Sequence, residues 1–302
     1  MAQKPDLGTI GVWSALLRGP DRDRIRDVTA FLDELGYGTL WTPGGTGGDL
    51  FGDVDAMLAA SSRAVIATGV LNIWMHDAAE TAAWYADANA RHPGRLLLGL
   101  GSSHASRIEA VGRTYDKPLT ALREYLDALD AAPSPVPAEH RVLAALGPKA
   151  LALAGERSAG VHPYLVDSTH THTARQVLGP DPLLAPELKV VLDTDRARVR
   201  ATAGPHLAVY LGLPNYTRNL LRSGFTEGDF ADGGSDRLLD RLVAWGDVDA
   251  IVARAQEHID AGADHVCIQV VTADWTEIPR TTWAELAPAL LEGVTPRTTP
   301  TP

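Results

Sequence analysis

Several features that mark other protein classes are missing from this sequence of 302 residues. It has one cysteine, Cys267, which excludes a disulfide framework and fits a reducing compartment, so a cytoplasmic protein is expected. No apolar run approaches the roughly 18 residues of a membrane span, and the start, MAQKPDLGTIGVW, lacks the basic-then-apolar pattern of a signal peptide. Basic residues are also few: the formal net charge of −11 argues against nucleic acid or an anionic membrane as partner.

The sequence does contain enough apolar material for a large core. Apolar residues make up 45% of the chain and charged residues 22%, which is typical of a globular protein. The length suits one large α/β barrel or two smaller domains, and neither an internal repeat nor an interdomain linker is visible. We therefore expect one domain over residues 1–294. A loose tail is expected at 295–302, where TPRTTPTP has nothing to bury.

Short apolar segments recur along the chain and alternate with amphipathic ones. Continuous apolar segments are typical of strands that are covered on both faces, as in a parallel sheet. Eight such strands are predicted, at residues 7–14, 38–43, 64–72, 95–102, 140–147, 162–168, 187–194 and 264–271.

The segments between these strands have helical spacing. Apolar residues line one face of residues 25–35, where Gly36 supplies the stop, and one face of 248–259, which Asp247 is placed to cap. Eight strands, each followed by a helix, indicate a single (β/α)8 barrel. The alternative, a doubly wound sheet, usually carries a glycine-rich phosphate motif after its first strand, and here that strand runs into WSALLRGP. The long stretch 195–246 is predicted to be a helical insertion between strands seven and eight, and to form a wall of the pocket.

The chemistry of a (β/α)8 barrel lies at the carboxyl ends of its strands. In this chain those ends carry mostly glycines, hydroxyl side chains and apolar groups, with few carboxylates for an acid–base pair. Such a face suits a large, flat, partly apolar ligand better than bare hydrolysis. His170 and His172 in STHTHT could supply two metal ligands at strand spacing. The first strand offers no further ligand, however, so no metal site is expected. Instead, the hydroxyl of Ser168, Thr169 or Thr171 is expected to cap the helix that follows.

Six motifs spread over nearly the whole chain carry a family resemblance: LGTIGVWS, GYGTLWTPG, ATGVLN, HPGRLLLGLGSS, LAALGPKALALAGERSAG and AGADHVCIQVV. Together they resemble the bacterial luciferase-like superfamily, in particular its branch of coenzyme F420-dependent oxidoreductases. The resemblance implies a TIM barrel with a deazaflavin or flavin ring across its mouth. It also implies hydride transfer between F420 and a small organic substrate, and a homodimer formed through residues 51–62 and 78–91.

The resemblance further implies where the cofactor is bound. Its phosphate is expected at Gly147, Pro148 and Lys149, which open a helix, because a helix start favours an anion. A cis peptide bond is expected between Gly69 and Val70, where glycine lets the backbone approach the ring closely. Further cofactor contacts are expected at other strand ends, from Thr42, Asn72, Ser102, Ser103, Asp167, Ser168 and Thr169.

The candidate catalytic residue is His104, in GRLLLGLGSSHAS. Sugar-phosphate dehydrogenase relatives have a proton-active glutamate at the matching position, and imidazole, whose ordinary pKa lies near neutrality, suits the same task. Those relatives also have a histidine where this chain has Gly44. Arg107, Lys149 and Arg175 are the basic residues nearest the predicted mouth and could pair with the phosphate or with the oligoglutamate tail of F420. Three alternatives stay open: an FMN-dependent monooxygenase of the same superfamily, a metal-dependent barrel hydrolase, and a protein that binds a deazaflavin without turning it over.

Overall fold

The structure is a computed structural model, and it describes residues 5–298. Its strands, in chain order, are β1 (Ile10–Trp13), β2 (Thr39–Thr42), β3 (Val65–Thr68), β4 (Leu71–Asn72), β5 (Leu96–Gly101), β6 (Arg141–Leu143), β7 (Gly160–Val161), β8 (Leu183–Leu184), β9 (Glu187–Leu192), β10 (Val243–Gly246) and β11 (Val266–Val270). Its α-helices are α1 (Arg22–Leu35), α2 (Leu50–Ala60), α3 (Ala78–Arg91), α4 (Ala105–Glu109), α5 (Pro118–Asp130), α6 (Pro148–Arg157), α7 (Ser168–Leu178), α8 (Arg196–Leu211), α9 (Pro214–Arg222), α10 (Asp236–Leu242), α11 (Val248–Asp260) and α12 (Arg280–Gly293).

The strands pair in parallel, in the order β10-β9-β11-β1-β2-β3-β5-β6-β7-β8, with β4 beside β5. The sheet closes because β8 and β9 are two parts of one extended segment, residues 183–192. Its first part pairs with β7 and its second part with β11. Between the two parts, the Ala185 N–H donates to the Val161 carbonyl at 3.0 Å, and the Cys267 N–H donates to the Pro186 carbonyl at 3.0 Å. The predicted (β/α)8 barrel is therefore confirmed, with β3 and β4 also forming one of its eight strands.

The strands are mostly apolar because both of their faces are buried. Along β5, Leu96, Leu98 and Leu100 pack against the surrounding helices. Leu97, between them, points into the barrel, where it belongs to a separate cluster with Trp41 and the buried thiol of Cys267. The period of two along a strand sends successive side chains to opposite faces, so a strand with two covered faces reads as a continuous apolar run.

Helix ends follow the predicted signals in two cases and depart from them in a third. Gly36 ends α1 in the left-handed conformation (φ 94°), and the Asp247 carboxylate caps α11 by accepting from the Ala250 N–H. In contrast, α7 is capped by Asp167, whose carboxylate accepts from the His170 N–H, and not by a neighbouring hydroxyl. No helix within residues 5–298 is long and apolar enough to cross a membrane.

The sixth strand is misplaced in the sequence prediction of 162–168. The structure has β7 at Gly160–Val161, and the chain then leaves the sheet on its way to α7. Leu165 adopts a left-handed conformation (φ 56°), which no regular strand accommodates, and its N–H is bound by the Glu187 carboxylate at 3.1 Å. Apolar content alone did not reveal this turn.

The stretch 195–246 contains α8, α9, α10 and a short 3₁₀ segment. It also contains β10, a strand that the sequence did not predict, which pairs with β9 in the register Val243–Lys189. The helices share their own apolar cluster, which includes Leu207, Leu220 and Phe225.

The start of the tail contacts the barrel. The Thr295 N–H donates to Gln256 Oε1 at 2.8 Å, and Arg297 forms an ion pair with Asp264 at 2.7 Å. The rest of the predicted loose tail, residues 299–302, lies outside the described residues.

Candidate active site

A cavity of about 790 Å³ opens at the carboxyl ends of the barrel strands. Three of its lining residues end or follow β1, β3 and β7: Trp13, Gly69 and His162. Trp13 and His162 both lie beside Gly69, and we call this part of the cavity the floor. The walls come from the loop after β5, from α4 and α5, and from side chains of α8 and α9. The helices of the 195–246 stretch therefore do form one wall, as expected from the sequence.

The structure brings part of the predicted site together around this cavity. The predicted residues that line it are Gly69, Val70, Asn72, Ser102, Ser103, His104 and Gly147. They come from β3, β4, β5 and the residues just before α6, so the carboxyl-end rule located them correctly.

The other predicted contacts lie elsewhere. Thr42 is fully buried, and its hydroxyl donates to the Leu17 carbonyl at 3.1 Å. The carboxylate of Asp167 caps α7 and forms an ion pair with Arg241. The remaining four residues start α6 or α7 and do not line the cavity: Pro148, Lys149, Ser168 and Thr169. Ser168 and Thr169 instead line a separate, shallow pocket between α7 and α11.

The floor depends on glycine. The peptide bond between Gly69 and Val70 is cis, as the resemblance implied. Trp13 Nε1 donates to the Gly69 carbonyl at 2.9 Å, and a Cβ at Gly69 would lie 2.8 Å from that same nitrogen. A Cβ at Gly101 would lie 2.6 Å from Val70 Cγ2. Side chains at either glycine would therefore collide with the floor.

His104 lies at the start of α4 but does not cap it. Its Nδ1 lies 3.1 Å from Asn215 Oδ1, and because an amide oxygen only accepts, Nδ1 carries the proton. Nε2 is therefore a lone-pair acceptor. Burial, followed by the positive charge of Arg107, lowers the pKa of His104 to about 4. The expectation of an ordinary histidine pKa was therefore wrong, and His104 is neutral at physiological pH.

A tyrosine cluster, which the sequence analysis missed, lies beside His104, whose ring centroid is 5.4 Å from that of Tyr216. Tyr164, Tyr210 and Tyr216 have ring centroids 5.2 to 6.2 Å apart, and the hydroxyls of Tyr164 and Tyr210 are 2.8 Å apart. Burial raises the pKa of Tyr164 and of Tyr216 well above its ordinary value. These two phenols therefore stay protonated and can donate hydrogen bonds.

A buried cation supports this cluster from behind. Lys189 donates to Tyr164 Oη at 2.8 Å, to Gln269 Oε1 at 3.0 Å and to Glu187 Oε1 at 3.0 Å. Lys189 and Glu187 are each 1% exposed. A signal existed in the sequence, because two charges two residues apart in the apolar strand ELKVVL must share one face of it.

The start of α6 lies at the cavity beside an arginine of α9. Gly147 precedes the helix without any side-chain cap, and a Cβ on it would lie 3.5 Å from Arg222 Nη2 of α9. Arg107 and Arg218 also line the cavity. The predicted Arg175 is not here: its guanidinium binds Asp264 at 2.6 Å, near the start of β11. Uncapped N–H groups beside arginine suit an anion.

The two histidines of STHTHT cannot share a metal. They lie on α7, where residues two apart point about 200° apart around the helix axis. His170 is buried and bonded to the Leu146 carbonyl at 3.0 Å, whereas His172 is exposed and lies 2.9 Å from Gln176 Nε2. Across residues 5–298, no group of three or more histidine, cysteine or acidic side chains is arranged to bind a metal ion.

Comparison with known proteins agrees with this architecture. The model of the luciferase-like monooxygenase family matches residues 6–265. The chain belongs to this family. A 5,10-methylenetetrahydromethanopterin reductase from Methanolobus tindarius is 23% identical to it over an alignment of 297 residues, which covers 80% of this chain and 89% of the reductase.

Solved structures share the fold of this luciferase-like chain. An F420-dependent secondary alcohol dehydrogenase, in complex with an F420–acetone adduct, superimposes with a TM-score of 0.72 at 14% identity, covering 95% of this chain and 99% of that one. The oxygenating constituent of 3,6-diketocamphane monooxygenase from Pseudomonas putida, in complex with FMN, gives the same TM-score and identity, covering 98% and 100%. The chain is thus an oxidoreductase of the luciferase-like class.

Proposed function

We propose that this protein is a coenzyme F420-dependent oxidoreductase that transfers a hydride between the deazaflavin and a small organic substrate. The observation that carries the proposal is a single cavity with three different parts. A glycine-shaped floor suits a flat ring, an arginine-flanked helix start suits a phosphate, and His104 supplies a neutral acceptor between them. The likeness to an F420-dependent alcohol dehydrogenase supports the same conclusion.

The described residues fit the cofactor. The ring would lie on the Gly69–Val70 bulge with Trp13 beneath it, and the phosphate would lie at the start of α6, bound by backbone N–H groups and by Arg222. Arg222 would thus hold the phosphate at the position where Lys149 was expected to do so. When bound, F420 supplies the carbon that accepts or delivers the hydride.

His104 is suited to act as a general base. Nδ1 is held by Asn215, and the lowered pKa leaves Nε2 unprotonated. Nε2 can therefore take the proton of a substrate hydroxyl while the carbon that bears this hydroxyl passes its hydride to the deazaflavin. This arrangement favours oxidation of an alcohol-like group, with the proton returned to the substrate oxygen in the reverse reaction. The tyrosine cluster beside His104 gives this part of the cavity an aromatic wall.

A flavin-dependent monooxygenase is the second candidate. The FMN-bound neighbour has the same fold similarity as the F420-bound one, and the same floor and phosphate end suit an FMN molecule. Such an enzyme would work with a separate reductase.

A reduction assay tests the proposal. The protein is mixed with oxidised F420 and a panel of small secondary alcohols, and loss of the visible absorption of oxidised F420 is followed. Replacing His104 with glutamine should lower kcat about 10²- to 10⁴-fold while F420 still binds, because a general base typically contributes that much. The matched control is His172→Gln, an exposed histidine remote from the cavity, which should leave the rate unchanged. F420 binding without reduction by any alcohol would favour a non-catalytic binding protein.

A further inference from the structure

His162, on the cavity floor, has a polar atom that nothing in the protein satisfies. The side chain is 1% exposed, and its Nδ1 lies 2.8 Å from the Ala185 carbonyl. Because a carbonyl oxygen only accepts, Nδ1 carries the proton and Nε2 is an acceptor. Among residues 5–298, no hydrogen-bond donor reaches Nε2, although it is buried. Buried acceptors of this kind are rare, because their desolvation is left uncompensated.

A second histidine in the barrel shows what a completed arrangement looks like. His265 is fully buried in the same tautomer, since its Nδ1 donates to the Gly8 carbonyl at 2.8 Å. Its Nε2, however, accepts a hydrogen bond from Trp41 Nε1 at 3.2 Å. The ring of Trp41 also stacks on His162, with centroids 4.2 Å apart, but its one N–H is already used. Of these two histidines beside Trp41, His265 is satisfied within the protein and His162 is not. His170 and His258 also have a buried ring nitrogen without a partner among the described residues, but, unlike His162, neither lines the cavity.

The open side of His162 faces the ring-binding part of the cavity. A Cβ at Gly69 would lie 3.2 Å from Nε2, so Nε2 is directed toward the glycine of the cis bond, and both residues line the cavity. The neighbouring indole of Trp13 cannot serve as the donor, because its N–H is bound to the Gly69 carbonyl. Cys267 Sγ, 3.9 Å away, approaches Nδ1 and not Nε2. The missing donor must therefore come from a molecule in the cavity.

We propose that His162 Nε2 accepts a hydrogen bond from the imide N3–H of the bound ring and so fixes the pyrimidine end of that ring at the floor. This inference rests on the proposed function, because it requires a deazaflavin or flavin in the cavity. N3–H is the donor common to the oxidised rings of both cofactors, and it lies between two carbonyls, so a neutral acceptor is its complement. The phosphate, at the opposite end of the cofactor, would remain near Gly147.

The neutral acceptor is the form present under physiological conditions. Burial lowers the pKa of His162 to about 4, because a charged imidazolium would lose its hydration inside the barrel. The nearest other titratable groups, His265 and the thiol of Cys267, are themselves uncharged at neutral pH, the first because burial lowers its pKa to about 4 and the second because burial raises its pKa.

The test compares two ring probes on three proteins. The first probe is the cofactor that binds the native chain, either F420 or FMN. The second probe is the N3-methyl derivative of the same cofactor. The native protein should bind the N–H form about tenfold more tightly than the N-methyl form, the size expected when a buried hydrogen bond is lost. His162→Phe should bind both forms with nearly equal affinity. His265→Phe, equally buried but satisfied within the protein, is the matched control and should keep the native ratio.

A second measurement does not depend on whether the variant folds. In the native protein labelled with ¹⁵N-histidine, the Nε2 resonance of His162 should shift when the N–H ring is added and not when the N-methyl ring is added. If the native and His162→Phe proteins discriminate equally, or if the Nε2 resonance stays unchanged on ring binding, the inference is overturned while the proposed function stands. If neither F420 nor FMN binds the native protein, both fail.

Discussion

The pairing of His104 with Asn215 allows a direct test of the electrostatics of the site. Replacing Asn215 with aspartate puts a carboxylate where the amide oxygen now lies, 3.1 Å from Nδ1. An opposite charge at this distance raises a histidine pKa by about 1–3 units, and because residue 215 is exposed, solvent screening favours the lower half of that range. The pKa of His104, now about 4, should therefore rise to about 5–6.

The assay is an NMR titration of the histidine ring resonances, with His104 assigned from the His104→Gln spectrum. Asn215→Leu is the matched control: it removes the hydrogen bond that raises the pKa without adding charge, so its pKa should not exceed the native value. If Asn215→Asp leaves the pKa where it is, Asn215 does not contact His104 in solution and the description of the base is wrong.

The same pKa predicts how stability depends on pH. The folded-state pKa of His104 is lower than that of an unfolded chain, so the unfolded state binds the proton more readily. The contribution of His104 to stability is therefore fully present above the ordinary histidine pKa and is lost as the pH falls toward about 4. In Asn215→Asp the loss of stability at low pH should be smaller, because the pKa of His104 in the folded state then lies closer to its value in the unfolded chain. Chemical denaturation at a series of pH values measures it.

Three further predictions concern the cavity and its support. In a fluorescence titration, Arg222→Met should lower the affinity for phosphate-bearing F420 about tenfold and leave the affinity for the phosphate-free deazariboflavin unchanged. Arg198→Met, which removes only surface ion pairs of α8, is the control and should change neither affinity. Gly69→Ala should lower the free energy of unfolding by about 1–3 kcal/mol, since its Cβ would collide with the floor; denaturant titration that showed no loss would contradict the packing described. Lys189→Met should cost about 3–5 kcal/mol because it leaves Glu187 charged and buried, and the double change with Glu187→Gln should recover most of that cost in the same assay.

Much of the fold could be predicted because buried parallel strands carry a strong local signal. Segments such as LLLGLG and VCIQV are apolar on both faces and flanked by helical periodicity, so type and order follow from the sequence. The same reasoning failed at β7 and β10. β7 has only two residues, and the chain reaches a left-handed residue, Leu165, soon after it. β10 pairs with residues 189–192, the part of the segment 183–192 that continues past its pairing with β7. Neither fact is local.

The candidate site was predictable only where the strand ends supplied it. His104, Gly69 and Gly147 follow from the carboxyl-end rule, together with the family resemblance. Arg222 and Asn215 both lie on α9, which lines the cavity, and no periodicity shows which residues of this helix face it. Arg175 was expected near the cavity and is not. Its place on α7 follows from the sequence, but the sequence does not show that its side chain reaches Asp264.

Buried polar side chains gave a signal that could have been used further. His162 and Lys189 each lie in or beside an apolar strand, where a polar group needs a partner or a function. For Lys189 the partners are within the protein, at Glu187 and Tyr164. For His162 the second partner is absent from the described residues, which makes it the stronger pointer to the ligand.

The central claim is that the cavity binds a deazaflavin, and fluorescence titration of the native protein with oxidised F420, alongside FMN, tests it most directly. We expect saturable binding of F420, weaker binding of FMN, and a lower F420 affinity in Arg222→Met than in the native protein. Preferential binding of FMN would assign the protein to the flavin monooxygenases, and binding of neither molecule would contradict the proposed function altogether.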